Sequence, residues 1–395
     1  MEIRNLFVKN KLIITSLIIA NLLLMVYVDL RHINFVSAIT KTPSARYGHD
    51  MVYDSKNNQT ILFGGDNSWS DLGNLKSTWI YSSISQTWVE IANSISPSVR
   101  INHKMVFNSN SGKIILFGGM ETVDYTRLDD TWEFDSGTNE WIELHPTISP
   151  SARSSHAMYF DSLYNVIVLF GGYLDNDLHS SETWIYNCTS SNWYQINPIS
   201  HPATIYGHSF DYDEEQQIGV FFGGRYIGLI DETWFFNLTS VTWTKQTPML
   251  KPLRRYWFDM VYNPFEKNFI LFGGDNEESS IRALDDTWIF TLSTITWTKI
   301  EPTISPFARN NHAMIFDIFL NKTLLFGGYG EDYSKIYGDL WMYDSKDMSW
   351  YQISSTKSNT WKIILLSVVV PAVILGIIST IIVIYKKEKR KKKVK

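Results

Sequence analysis

The chain has 395 residues, of which 44% are hydrophobic and 15% aromatic, so it can build a large core and is not intrinsically disordered. Its single cysteine, Cys188, excludes an internal disulfide framework and a four-cysteine zinc site. The net charge of −5 is unevenly distributed, because residues 39–361 carry −15 and residues 386–395 carry +7. Such an acidic body lacks the basic face that nucleic acid requires, so we expect no nucleic-acid partner.

The first predicted element is an apolar run at residues 12–28, which follows a basic start. It indicates either a signal peptide or a retained signal anchor within residues 1–38. Residues 36–38 (Val-Ser-Ala) have the small-residue form of a cleavage site, but they lie well beyond the end of the apolar run. Cleavage and retention therefore both stay open, and either one places the following residues outside the cytosol.

Residues 45–353 contain a repeat with a period near 50 residues. The tripeptide Phe-Gly-Gly recurs at spacings of 50 to 54 residues and begins at Phe63, Phe117, Phe170, Phe222, Phe272 and Phe326. Two tryptophans nine residues apart follow each tripeptide and account for 12 of the 15 tryptophans. We place the six repeats at about 45–94, 99–147, 152–199, 204–249, 254–303 and 308–353.

Each repeat predicts four β-strands, A to D, separated by turns rich in Asn, Ser, Asp and Gly. Strand A follows an Arg-x-x-His element in four repeats, whereas repeat four has Ile205 for the arginine and repeat five has Phe258 for the histidine. Strand B is the apolar run into the glycines, and strands C and D contain the two tryptophans. A continuous apolar run predicts burial on both faces, as for a sheet between two other sheets. The diglycine and the two tryptophans closely resemble the kelch family. That resemblance implies an all-β fold, a six-bladed kelch-type β-propeller.

The C-terminal part predicts a membrane anchor. A linker at residues 354–360 is followed by an uncharged run at residues 363–384, long enough to cross a bilayer as a helix, and by a basic tail at 385–395. We expect a single-pass protein with a lumenal or extracellular propeller, a cytosolic C-terminus and lipid around the helix. Lys392 and Lys393 match a dilysine signal for retrieval to the endoplasmic reticulum, and the alternative is a simple anchor at the cell surface.

Several residue types recur once per repeat and are predicted to be structural. The glycine pairs are expected where a Cβ does not fit or φ is positive; they are Gly64, Gly65, Gly118, Gly119, Gly171, Gly172, Gly223, Gly224, Gly273, Gly274, Gly327 and Gly328. Recurrent arginines and acids predict ion pairs between blades or arginine-to-loop hydrogen bonds, with a catalytic carboxylate pair as the alternative. The recurrent histidines predict packing, with a ring of metal ligands as the alternative.

The order of the strands divides the loops between two ends of the propeller. The A–B and C–D turns form one end, which we call the turn face, and the B–C and D–A loops form the other, the loop face. Four glycosylation sequons are predicted on the turn face, at Asn58, Asn187, Asn237 and Asn321. The loops of the loop face are long, acidic and aromatic, and their candidate binding residues are Trp69, Asp71, Asp124, Tyr125, Tyr173, Asp175, Arg225, Tyr226, Glu277, Glu278, Tyr329 and Tyr333.

The sequence favours a non-catalytic platform that binds a protein or a glycan at the loop face. Outside the repeats it shows no nucleophile–base pair and no metal-ligand spacing, so we predict no catalytic residue, metal or cofactor. The first alternative is a copper oxidase resembling galactose oxidase. That group uses a tyrosine cross-linked to cysteine and seven blades, whereas Cys188 is predicted on the turn face. The second alternative is a cell-surface receptor or adhesion protein.

Overall fold

The computed structural model describes residues 41–67, 75–277, 282–331 and 335–353. In this part of the chain, six antiparallel sheets each contain four strands in the order A–B–C–D. The predicted all-β, six-bladed propeller is therefore confirmed. No helix among the described residues is long and apolar enough to cross a membrane. The predicted signal, linker, membrane helix and basic tail lie outside the described residues.

The strand bounds repeat closely from blade to blade. Strands A are Asp50–Asp54, Lys104–Asn108, Ala157–Asp161, Ser209–Asp213, Asp259–Asn263 and Ala313–Asp317. Strands B are Gln59–Phe63, Lys113–Phe117, Val166–Phe170, Ile218–Phe222, Asn268–Phe272 and Lys322–Phe326. Strands C are Thr78–Ser82, Thr131–Asp135, Thr183–Asn187, Thr233–Asn237, Thr287–Thr291 and Leu340–Asp344. Strands D are Thr87–Ile91, Glu140–Leu144, Asn192–Ile196, Thr242–Gln246, Thr296–Ile300 and Ser349–Ile353.

The loops between these strands contain short strands, single β-bridges and one 3₁₀ turn. Two-residue strands before strand A pair with two-residue strands after the glycines: Arg100–Ile101 with Met120–Glu121, Arg153–Ser154 with Tyr173–Leu174, and Arg309–Asn310 with Tyr329–Gly330. Single bridges replace them in the other three blades: Tyr47 with Asp66, Tyr206 with Arg225, and Tyr256 with Asp275. A 3₁₀ turn, Leu292–Thr294, joins strands C and D of blade 5.

The ring closes through contacts between the first and last blades. Neighbouring A strands contact each other all the way round, including those of blades 1 and 6. A closed cycle of backbone hydrogen bonds, 2.7–2.9 Å long, lies just before the A strands. Its six residues all have positive φ, and they are Gly48, Asn102, Ser155, Gly207, Trp257 and Asn311. We call this cycle the backbone ring.

The core lies between the blades. Strand B side chains are almost completely buried, as the continuous apolar runs predicted. The strand D tryptophans of blades 2 to 6 each donate from Nε1 to a strand C threonine of the preceding blade, as Trp141 does to Thr78 at 2.9 Å. Blade 6 has Leu340 at the threonine position, so the closing contact with blade 1 is apolar.

Candidate binding face

The recurrent arginines hold the B–C loop of their own blade. Each is almost fully buried and donates from Nη1 to the carbonyl oxygen of the first glycine, at 2.8–3.0 Å. Four also form ion pairs at 2.6–2.7 Å: Arg100–Asp130, Arg153–Glu182, Arg255–Asp286 and Arg309–Asp339. The acid sits within the same blade because the B–C loop folds back over its own arginine. The pairs are thus not between blades, and each acid also accepts the indole N–H of the strand C tryptophan.

The recurrent histidines pack between blades. His156 lies edge-on against Phe117 of the preceding blade, with ring centroids 5.5 Å apart. A Cβ on the first glycine of that blade, Gly118, would lie 3.3 Å from the same imidazole and 2.6 Å from the Arg153 carbonyl oxygen. In blade 5, Phe258 takes the histidine's place and makes the same contact with Phe222. Burial lowers the pKa of His156 well below its ordinary value, so the ring is neutral.

The strand pairing defines which candidate residues share a face. Asn58 and Asn321 lie in A–B turns, whereas Asn187 and Asn237 are the last residues of strand C rather than turn residues. All four lie at the turn face and are half-buried. Their glycosylation stays a prediction. Cys188 follows Asn187 on this face, and burial raises the pKa of its thiol to about 12.

The loop face contains the other candidates that the structure describes. Asp124, Tyr125, Tyr173, Asp175, Arg225, Tyr226, Glu277 and Tyr329 all lie in its B–C loops. Trp69, Asp71, Glu278, Tyr333, Lys392 and Lys393 lie outside the described residues. Tyr329 lies on blade 6 and packs against Tyr47 of blade 1, with ring centroids 3.9 Å apart.

Three of the candidates meet in one network across blades 3 to 5, which we call the tyrosine cluster (Tyr173, Tyr206, Arg225, Tyr256 and Glu277). Tyr173 stacks on Tyr206 with ring centroids 4.9 Å apart, and Tyr206 lies edge-on to Tyr256. Arg225 donates to the Tyr206 hydroxyl at 3.1 Å and pairs with Glu277 at 2.9 Å. Tyr256 donates to the same carboxylate at 2.7 Å. The network fixes three loops from three blades relative to one another.

Two further residues contact the tyrosine cluster, and the first of them connects it to blade 2. The guanidinium of Arg127 lies over the Tyr173 ring at 4.2 Å and pairs with Asp175 at 3.1 Å. His179 packs 4.9 Å from the Tyr206 ring and 6.4 Å from the Tyr226 ring. Blades 2 to 5 therefore present one connected surface at the loop face.

Exposed apolar side chains stand around this surface. Val123 and Tyr125 of blade 2 are 68% and 66% exposed, and Leu178 of blade 3 is 59% exposed. Tyr226 and Ile227 of blade 4 are 41% and 85% exposed. Exposed carboxylates lie between them, at Asp124, Asp129, Asp175 and Asp177. We call the combined surface of these loops the loop-face patch; apolar tips among charges are typical of protein-binding surfaces.

Sequence reasoning missed Tyr206, Tyr256, His179 and Arg127. Tyr206 and Tyr256 directly follow the arginine position of their repeats, in the segment before strand A rather than in a B–C loop. Tyr47 occupies the same position in blade 1, so recurrence at this position was the available signal. These two tyrosines lie outside the B–C loops from which the binding residues were predicted, whereas Arg127 and His179 lie within those loops and no repeat pattern distinguishes them.

The described residues do not favour the copper chemistry of galactose oxidase. No group of three metal-ligating side chains converges in the described part of the chain. Cys188, the thiol that a tyrosine–cysteine cofactor would need, lies at the turn face and packs against the core between blades 2 and 3. The tyrosine cluster lies at the opposite face. The residues therefore do not fit that cofactor.

Comparison with known proteins gives matches along most of the chain. The family model described as "KLHDC2/KLHL20/DRC7 Kelch-repeats domain" matches residues 17–224 and 207–372. Mei4-dependent protein 6 of Schizosaccharomyces pombe is 26% identical over 210 residues, which are 48% of this chain and 30% of that protein. Kelch domain-containing protein 1 of Mus musculus is 27% identical over 182 residues, 44% of this chain and 40% of that protein.

A third relative has an enzymatic name. tRNA wybutosine-synthesizing protein 4 of Saccharomyces cerevisiae is 24% identical over 176 residues, which are 44% of this chain and 24% of that protein. The matched regions thus cover between 24% and 40% of the length of these three relatives.

Proposed function

Because this chain belongs to the kelch-repeat family, we propose that its propeller is a non-catalytic platform that binds a partner protein through the loop-face patch. The observation that carries this proposal is the connected surface of blades 2 to 5, in which a fixed network supports exposed apolar tips. Kelch propellers are in general protein-binding scaffolds. Because the network already holds the loops in place, less conformational entropy is lost when a partner binds. More of the free energy gained by burying the exposed side chains therefore contributes to affinity.

The composition of the patch favours a protein over a glycan. Aliphatic tips such as Val123, Leu178 and Ile227 gain by burial against apolar side chains, which a polar sugar surface does not offer. The six B–C loops together carry nineteen acidic and five basic residues. Charge complementarity therefore selects a partner surface with lysine or arginine around an apolar centre.

The sequence also supports a membrane-anchored form of this platform. We propose that residues 363–384 span a membrane, that the propeller is lumenal or extracellular, and that Asn58, Asn187, Asn237 and Asn321 carry glycans. Strand D of blade 6 ends at Ile353, opposite Leu340, which is the loop-face end of the sheet. The linker at 354–360 reaches at most about 25 Å when extended. The loop face would then be near the bilayer, and the partner would be a protein of the same membrane.

Proximity labelling with the full-length chain tests the binding proposal. Ile227→Asp places a charge in the centre of the patch, and we expect roughly tenfold weaker capture of the specific partners, equivalent to ~1.4 kcal/mol. Phe319→Asp is the control, because Phe319 is also an exposed apolar side chain but lies in an A–B turn at the turn face. Partners that survive Ile227→Asp, or that both variants lose equally, would contradict binding at the loop face.

Glycosidase treatment and protease protection test the topology. A lumenal or extracellular propeller predicts a mass decrease on glycosidase treatment and protection from protease in sealed vesicles, while a tag at the C-terminus is cleaved. Replacing Lys392 and Lys393 by Ser tests retrieval: movement to the cell surface supports it, and an unchanged location indicates a simple anchor. A propeller that protease digests in sealed vesicles would refute the topology.

A receptor or adhesion role is the second candidate that the same patch supports. It differs from the scaffold in location, because an adhesion protein has to be at the cell surface and to bind a protein on another cell. Surface biotinylation together with a cell-aggregation assay distinguishes the two roles. The named enzyme among the relatives does not favour catalysis here, because the matched region covers 24% of it.

A further inference from the structure

The six inner strands enclose a channel that is wide at one end only. Its wide part is a cavity of about 660 Å³, lined by strands A and by A–B turn residues such as Ser55, Ser109 and Pro264. Toward the loop face the backbone ring narrows it to a space of about 60 Å³ beside Trp257. The cavity therefore opens at the turn face, away from the loop-face patch, and its size lies within the range of ligand pockets.

The charges in this cavity are unbalanced. Its lining includes the carboxylates of Asp50, Asp211 and Asp259 and one basic side chain, Lys104. Lys104 forms an ion pair with Asp50 at 3.2 Å. Two more acids, Glu214 and Glu215, lie at the rim of the cavity.

Asp211 and Asp259 have neutral hydrogen-bond donors only. Asp211 accepts the backbone N–H groups of Tyr212 and Tyr262, at 2.8 and 2.6 Å. Asp259 accepts the N–H groups of Met260 and Met314, at 2.9 and 2.8 Å, and a longer bond from Ser209. These bonds hold the carboxylates in place and protect the free edge of the A strands. They add no positive charge, so the three aspartates share the single cation Lys104.

An excess of negative charge at such depth is costly. Burial raises the pKa of Asp50 and of Asp211 to about 6. Burial acts in the opposite direction on Lys104, but the carboxylates of Asp50, Asp259 and Asp211 outweigh it and raise the pKa of that ammonium. The raised pKa of Lys104 reflects the excess of carboxylates around it, and that excess favours a further positive charge in the cavity.

We propose that the channel cavity binds an organic cation, a primary amine or a guanidinium with an apolar body, which enters from the turn face and places its charge beside Asp211 and Asp259. The methionine, valine and isoleucine side chains of the walls suit the apolar body. An ammonium or guanidinium group carries several N–H donors, which suits carboxylates that line one cavity and accept only neutral hydrogen bonds from the protein. The cation comes either from a free small amine or from a lysine side chain of a peptide.

Calorimetric titration of the full-length protein in detergent tests this site, with spermidine as the free amine and a short peptide containing one lysine as the other probe. Saturable binding of either probe supports the site and identifies the source. We expect Asp211→Asn to weaken binding about tenfold, since the amide keeps the acceptor for Tyr262 but removes one charge. Asp285→Asn, at the loop face, is the matched control and should leave the affinity unchanged.

Two further measurements test the site independently of Asp211→Asn. Lys104→Gln should bind the same probe more tightly, because it removes the competing internal cation. Near pH 6 the wild type should release protons on binding, because the ligand cation lowers the pKa of Asp211; the dependence of the measured heat on buffer ionisation reveals this. Absence of saturable heat, equal weakening by Asp285→Asn, or unchanged affinity of Lys104→Gln would overturn the proposal. None of these outcomes bears on partner binding at the loop-face patch.

Discussion

Blade 1 lacks one ion pair that four other blades have, and a single substitution should supply it. Arg46 donates to Gly64 and Ser44, but Ser77 occupies the position of the acid. Burial lowers the pKa of Arg46 to about 9, and the carboxylate of Glu90, which is not bonded to Arg46, offsets only part of that shift. Ser77 already accepts the Trp79 indole N–H at 2.9 Å, as Asp130 accepts that of its own tryptophan, so an aspartate should fit. We expect Ser77→Asp to stabilise the propeller.

The size of the gain follows from the equivalent pair in blade 2. Arg100 and Asp130 bond through both nitrogens and both oxygens, each at 2.7 Å. A charge-assisted hydrogen bond contributes about 1.5–3 kcal/mol. Desolvation of the new carboxylate offsets part of this, so we expect a gain of about 1–3 kcal/mol in the free energy of unfolding. For a domain of this size it corresponds to a rise in Tm of roughly 2–4 °C.

Thermal and urea unfolding of the wild type, Ser77→Asp and Ser77→Asn measure the effect. The asparagine variant keeps the acceptor without the charge, so its gain should be less than half. The gain of Ser77→Asp should also disappear in an Arg46→Met background, because the aspartate then has no cation. A gain of the same size in that background, or a loss of stability in Ser77→Asp, would refute the reasoning that Arg46 lacks a directly bonded carboxylate.

Three other predictions concern the channel, the glycines and the histidines. Asp211→Asn should stabilise the protein by about 1–2 kcal/mol at pH 7.5 and by clearly less at pH 4. The folded-state pKa of Asp211 is raised from 3.8 to about 6, so the cost of the buried charge is fully present above the folded-state pKa and is lost as the pH falls toward 3.8. Denaturant unfolding at both pH values checks this, and an equal gain at pH 4 would refute it. Gly118→Ala should cost about 2–4 kcal/mol, because φ is +62° and the new Cβ meets a carbonyl oxygen at 2.6 Å, whereas Gly228→Ala, with open space, should be nearly neutral in the same assay. His156→Phe should change stability by less than about 1.5 kcal/mol, since Phe258 fills the same position in blade 5, and a large loss would indicate a role beyond packing.

Much of the architecture was readable from the one-dimensional pattern. The six repeats of Phe-Gly-Gly and paired tryptophans predicted the blade number, because each blade is a contiguous meander whose turns and buried strands are local features. The division into a turn face and a loop face followed from strand order alone. Phe258 stands where five other repeats have a histidine, and the shared contact with a phenylalanine of the preceding blade explains why either ring fits.

The tyrosine cluster and the channel cavity depend on contacts between blades, and the spacing of residues within a repeat does not predict such contacts. Tyr173, Tyr206 and Tyr256 come from three blades, and they meet only because ring closure brings their loops side by side. The same closure places Asp50, Asp211 and Asp259 in one cavity with a single lysine. Repeat periodicity encodes the short-range pairing within a blade. Charge balance and aromatic contacts between blades depend on side chains far apart in the chain, so they emerge only in the folded ring.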